Sequence, residues 1–161
     1  MDNFDLIVIG GGSGGVRAAR IAALHGAKVA LCEKDRMGGT CVIRGCIPKK
    51  LFFYASQYKD ILNNASYYGW SIKIISKKFI SLIENKNKEL RRLESIYNKN
   101  VKNAGVEIIY EEAMLESNKV IKVGKKKISA KNIIISTGGI PKKLNISGNQ
   151  YCINSDQIME L

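Results

Sequence analysis

The first apolar run, in "FDLIVIG", is short and ends at glycine, which predicts a buried strand. Apolar residues then recur at helical spacing through "GGVRAARIAALHG", with Gly26 as a stop, and "AKVALCEK" returns to a short buried run. Strand, glycine turn, helix and strand predict a parallel βαβ unit, and with it an α/β fold. A second helical pattern starts at Cys46 and runs through "KKLFFYASQYKDILNNA", with Pro48 tolerated in a first turn; "YYGWSI" interrupts it. A longer helix is predicted over 79–104, because Ile80, Ile83, Leu90, Leu93, Tyr97 and Val101 share one face and Gly105 closes it. Two long helices in tandem predict a helical hairpin. After Gly105 the pattern shortens to strands in "VEIIY", "NKVIKV" and "KKKISAKNIIIST", the last following the Gly124 turn. These predict a small antiparallel meander leading into one more buried strand, "NIIIS". No repeat or low-complexity linker divides residues 1–161, which predicts one domain.

Length and composition narrow this picture only a little. A chain of 161 residues suffices for one well-buried domain, and 45% apolar with 25% charged residues is ordinary for a globular protein. The first apolar run is too short to span a bilayer and lacks the basic head of a secretory signal, so no membrane association and a cytoplasmic location are expected. Four cysteines are too few for a disulfide scaffold; Cys32 and Cys152 stand alone and read as inert. Lysine and arginine exceed aspartate and glutamate by 26 to 14, a net charge of +12 that favours anionic partners. No basic-aromatic module accompanies the charge, so a nucleic acid is not expected among them. His25, at the end of the first helix, reads as structural.

Chemistry enters with the turn "GGGSGG", which holds Gly10-x-Gly12-x-x-Gly15 between a strand and a helix, with Glu33 about 20 residues on. Gly10 permits the tight turn, Gly12 lets the backbone approach a pyrophosphate, and Gly15 allows close packing of helix on strand. Phosphates would sit on the amides of the helix N-terminus, and Glu33 would accept hydrogen bonds from a ribose. The motif alone does not separate FAD from NAD, since both carry an adenosine diphosphate half.

The stretch "GGTCVIRGCIPKK" follows, with Cys41 and Cys46 in a CxxxxC spacing. No CxxC or nearby histidine completes a metal site, so none is expected. A reducing compartment disfavours a structural bridge, which leaves a reactive pair or two unrelated thiols. Gly38, Gly39 and Gly45 permit sharp turns around the cysteines, and Arg44, Lys49 and Lys50 are expected to lower a thiol pKa.

This stretch resembles the redox-active disulfide motif of the pyridine nucleotide-disulfide oxidoreductases, and among them that of the glutathione reductases. The likeness extends from "DLIVIGGGSGGVRAAR" through "KNKELRRLESIY" to "IIISTGGIPKKLNISG". It implies a Rossmann-like FAD-binding domain and NADPH-driven reduction of glutathione disulfide by a homodimer. By position, the resemblance places Ser13, Gly14 and Glu33 on the adenosine half of FAD, and Thr40 and Cys41 along its diphosphate and flavin. Ala113 matches a backbone contact to the adenine end; Thr137 and Gly138 match the chain's return past the cofactor. Cys46 becomes the flavin-proximal sulfur, Cys41 the interchange thiol, and Lys49 a partner of the flavin N5 region. On the substrate side Arg20 matches a carboxylate-binding position, with Ser13 beside it and Tyr97 packing against the bound tripeptide; Arg17 lies one turn before Arg20. Dihydrolipoamide dehydrogenases and mercuric reductases share the cysteine motif without that arginine, so glutathione disulfide is favoured over lipoamide, and trypanothione-like disulfides less still.

Members of the resembled family are longer. A second glycine motif for NADPH, a late aspartate for the flavin side chain, and an interface domain with its histidine–glutamate acid–base pair have no counterpart in these residues. The chain therefore reads as the N-terminal part of an FAD-binding domain, inactive by itself. The alternatives are the corresponding part of another disulfide reductase and a nucleotide-binding remnant without catalysis.

Overall fold

The computed structural model describes residues 2–160. Its opening is the βαβ unit that the pattern predicts: β1 (Asp2–Ile9), α1 (Ser13–Leu24) and β2 (Val29–Cys32). β1 and β2 pair in parallel, from Leu6 opposite Val29 to Ile9 opposite Cys32. All four residues of β2 are buried, as suits a parallel strand covered on both faces.

The segment after β2 folds into a short helix α2 (Gly39–Ile43), which the hydrophobic pattern does not announce, and then α3 (Cys46–Asn64). A 3-10 turn (Ala65–Tyr68) and an exposed connection lead to α4 (Phe79–Asn103). Pro48 sits in the first turn of α3, where its missing N–H costs no helical bond. The predicted hairpin is present: the Phe52 and Phe79 rings stack with centroids 6.5 Å apart. The predicted face of α4 holds from Leu90 onward. Leu90 and Val101 are buried and Ile83, Leu93 and Tyr97 half-buried, but Ile80 is 62% exposed. The first turn of α4 meets α3 rather than the sheet. Lys86 is buried instead, its ammonium donating to the Met159 carbonyl and lying over the Phe52 ring.

The remaining strands are β3 (Glu107–Ile109), β4 (Ala113–Leu115), β5 (Val120–Val123) and β6 (Lys126–Ile135), followed by a 3-10 turn (Asn149–Tyr151) and the short helix α5 (Ser155–Ile158). They complete one six-stranded sheet in the order β3-β2-β1-β6-β5-β4. Two expectations are corrected here. β3 does not belong to the meander but pairs in parallel with β2; the third meander strand is β4, antiparallel to β5. And "NIIIS" is not a separate buried strand. It is the second half of β6, whose first half pairs with β5 while the strand runs parallel to β1 from Ile128 to Ile135. Pairing to β5 stops at Ser129, leaving that second half with a free edge, and Ile134 and Ile135 are exposed.

The two faces of β1 bury different partners, following the strand's period of two. Leu6 and Val8 pack with Val16 and Ala19 of α1, Val101 of α4 and Met37. Ile7 and Ile9 join Ile121 and Val123 of β5. Burying each such aliphatic side chain is worth about 1.5–3 kcal/mol. The consequence for function is positional: the C-terminal ends of β1, β2 and β6 converge where the glycine turn leaves β1.

Candidate functional site

At that turn each glycine of the motif has a different physical reason. Gly10 has φ +107°, and a Cβ there would stand 2.4 Å from the Ser136 carbonyl oxygen. At Gly15 a Cβ would lie 1.8 Å from the Gly10 carbonyl oxygen, so only glycine lets α1 close on β1. Gly12, by contrast, meets nothing nearer than the Gly39 Cα at 3.8 Å, which leaves its backbone open to a ligand. Gly12 is also the N-cap of α1 and offers no side-chain cap. The first-turn amides of Ser13 and Gly14, both exposed, therefore have no acceptor within the helix.

Glu33, just past β2, faces the turn with both carboxylate oxygens engaged. The Gly11 amide donates to Oε2 at 2.6 Å and the Asp35 amide to Oε1 at 2.8 Å. The segment before α2 is seated on the same turn: Gly38 donates its amide to the Gly11 carbonyl at 2.8 Å, and a Cβ on Gly39 would reach the Gly12 Cα at 2.6 Å. Buried Met37 fills the space beside Gly11, whose Cβ would lie 2.7 Å from its sulfur. Gly11, Met37 and Ser136 were not among the predicted site residues; the run of three consecutive glycines was the available signal for the first of them.

α2 and α3 then fold back on each other. Gly45 has room for no side chain, a Cβ there meeting the Thr40 carbonyl oxygen at 2.9 Å, and the Arg44 amide donates to that same oxygen. The reversal brings Cys46, the first residue of α3, onto Cys41 in α2; both are free thiols, Cys41 half-buried and Cys46 exposed. The Cys41 pKa is raised, first by its hydrogen bond with Cys46 and then by burial and the repulsion of a second sulfur charge. The expectation that Arg44, Lys49 and Lys50 lower it is corrected. Arg44 turns to the Asp35 carboxylate, Lys50 lies over the Tyr54 ring at 5.6 Å, and Lys49 is exposed on the first turn of α3. The other two cysteines lie apart from this pair. Burial, aided by the Glu107 charge, pushes Cys32 up to about 11, and Cys152 is exposed near the chain's end.

A cavity of about 470 Å³ connects these parts. Gly10, Gly12, Glu33, Thr40, Ala113, Thr137 and Gly138 of the predicted residues all line it, although they come from five separate stretches of chain. Cys41 follows directly on the wall residue Thr40. Arg20, on α1, is half-buried, with its Nε buried and without a partner; Tyr97 is half-buried against the apolar layer under Leu6 and Val8. A second hollow of about 510 Å³, lined by Tyr54, Tyr58 and Phe79 between α3 and α4, is almost wholly apolar. It contains neither the glycine turn nor the cysteines, so the smaller cavity is the functional candidate.

The arrangement fits a dinucleotide. An open backbone at Gly12, uncapped amides at the start of α1 and a carboxylate fixed at the end of β2 are the parts that hold a pyrophosphate and a ribose. With Cys41 following the wall residue Thr40 and Cys46 folded back toward it, the fold and site define a dinucleotide-binding domain that carries a pair of neighbouring thiols. Comparison with known proteins narrows this further. Residues 4–160 match the model of the pyridine nucleotide-disulphide oxidoreductases, and the chain belongs to that family. It is 48% identical to the glutathione reductase of Burkholderia cepacia over 159 residues, covering 99% of this chain and 35% of the relative. It is 43% identical to the glutathione reductase of Nostoc sp. and 43% identical to the chloroplastic/mitochondrial glutathione reductase of Pisum sativum. The shares of those relatives covered are 35% and 31%. The chain thus spans about a third of the length of these relatives. Among the described residues, no helix is long and apolar enough to cross a membrane.

Proposed function

We propose that this chain is the N-terminal, FAD-binding and disulfide-bearing part of an NADPH-dependent glutathione reductase. The observation that carries this reading is the single cavity that joins the glycine turn, Glu33, Ala113, Thr137 and Thr40, with Cys41 next in chain and Cys46 folded back upon it. The likeness to three glutathione reductases supports the substrate. A cytoplasmic location belongs to the same proposal, resting on cysteine usage that suits a reducing compartment. So does a homodimer, for which the exposed Phe53, Tyr54, Tyr58 and Ile61 along α3 supply an apolar stripe.

In this reading Gly12 and the amides of Ser13 and Gly14 hold the FAD pyrophosphate. Glu33 accepts from the ribose hydroxyls, Ala113 and Thr137–Gly138 bound the two ends, and Lys49 lies toward the flavin. Bound flavin would accept two electrons from NADPH and pass them to the Cys41–Cys46 disulfide, reducing it to two thiols. The chain's own residues carry the other half. The Cys41 thiolate attacks one sulfur of glutathione disulfide; that S–S bond breaks, and the first glutathione leaves and takes a proton. The Cys46 thiolate then attacks the Cys41 sulfur, the mixed disulfide breaks to release the second glutathione as a thiolate, and the Cys41–Cys46 bond closes; the two protons given up by the cysteine thiols balance those taken by the two glutathiones. Arg20 and Ser13 would meet the substrate's carboxylates and Tyr97 its peptide body.

Purified chain incubated with FAD and passed over a desalting column tests the reading. Retained flavin at one per chain, with a long-wavelength absorption band on two-electron reduction that Cys46→Ser removes, is expected. Failure to retain flavin under saturating conditions would favour the non-catalytic remnant.

A further inference from the structure

Arg44 occupies the middle of the loop that joins the two cysteines, and its guanidinium is not directed at either sulfur. Its Nη2 donates to the Asp35 carboxylate, and its Nε lies 3.7 Å from a Glu160 oxygen. Asp35 is itself fixed: its backbone amide donates to Glu33, whose other oxygen is held by Gly11. A line of polar contacts therefore runs from the glycine turn to the cysteine loop. Arg44 is half-buried, and its hydrogen bond to the Asp35 carboxylate is the first cause of its raised pKa. On the opposite side Gly45 is pressed against the Thr40 carbonyl. The loop is thus held at both flanks.

We propose that Arg44 is a positioning residue that clamps the Cys41–Cys46 loop to Asp35 and so raises the effective concentration of one sulfur at the other. The inference rests on the redox reading of that pair. In the reaction concerned, the two cysteine thiols give two electrons to glutathione disulfide, forming one protein disulfide and two glutathione thiols. Freeing the loop enlarges the set of conformations that must be lost on closure, an effect comparable to doubling the loop, which shifts the closing equilibrium by about threefold.

The test equilibrates the chain with mixtures of reduced and oxidised glutathione and measures the fraction of Cys41–Cys46 disulfide by trapping and peptide mapping. Arg44→Ala and Asp35→Asn should each lower the closing constant by about threefold, and the double variant should lower it no further. A through-space charge effect predicts otherwise, because one variant removes a positive charge and the other a negative one; it would move the two in opposite directions and overturn the clamp. Arg44→Gln serves in place of Arg44→Ala should the latter lose cooperative unfolding. A parent chain that closes the disulfide while both variants match it removes the clamp alone. A parent that never closes it removes the redox reading and the clamp together.

Discussion

The Gly11 amide donates to Glu33 Oε2 at 2.6 Å, so the glycine turn and the acidic residue at the end of β2 form one unit. The bond orients the carboxylate and, through Asp35, leaves no oxygen free to swing away. Glu33→Gln replaces one acceptor oxygen with a donor amide that opposes a backbone N–H. FAD affinity should fall by about 1.5–3 kcal/mol, roughly tenfold to a hundredfold, in a flavin-fluorescence titration. Unchanged affinity would separate Glu33 from the nucleotide.

Gly14 and Gly15 are adjacent in α1 yet should respond oppositely to alanine. A Cβ at Gly15 strikes the Gly10 carbonyl oxygen, whereas one at Gly14 meets nothing within 4 Å. Gly15→Ala should destabilise by about 1–3 kcal/mol, as overpacked sites do, and Gly14→Ala should stabilise by about 0.5–1 kcal/mol through helix propensity. Urea denaturation of both variants distinguishes these outcomes.

Cys32 gives the fold a pH dependence at the alkaline end. Its thiol is held neutral up to about 11 in the fold against 9.0 ordinarily, by burial first and the Glu107 charge second. This contribution is complete below pH 9 and is lost as pH rises from 9 to 11, amounting to roughly 2–3 kcal/mol. Urea denaturation of parent and Cys32→Ala across that interval should show the two stabilities converging; a constant difference would contradict the assignment.

Cys41 differs from Cys32 in the cause of its raised pKa, which begins with Cys46. In Cys46→Ala that hydrogen bond and the like-charge repulsion are gone. The pH profile of Cys41 alkylation by iodoacetamide should move to lower pH than in the parent, by peptide mapping of the labelled site. A profile that stays in place would leave burial as the cause.

Much of this site was legible because its parts are local. Gly10, Gly12 and Gly15 encode backbone demands that no other residue meets, and Glu33 lies at the end of the next strand, so a short window carries the whole pocket half. The Cys41–Gly45–Cys46 stretch carries its reversal in its own glycine. What escaped depends on long-range choice. "VEIIY" has the same pattern whether it pairs with β2 or with β5, and only the sheet decides. Likewise "NIIIS" is as apolar as a buried strand, yet its burial depends on what lies along the free edge of β6. Arg44 was misread for a related reason: basic residues near a thiol lower its pKa only when they are not already paired, and Asp35 lies nine positions away in sequence. Lys86 was invisible as a buried residue because a lysine on an amphipathic helix reads as solvent-facing.

The division of labour between the two cysteines is the central claim, and a trap tests it most directly. Reduced Cys46→Ser chain is exposed to glutathione disulfide, and the modified residue is located by mass spectrometry. A glutathione mixed disulfide that accumulates on Cys41, with none surviving in the parent because Cys46 resolves it, is the predicted result. Modification that persists on Cys41 in the parent, or that forms on Cys46 but not on Cys41 in single-cysteine variants, would contradict the account.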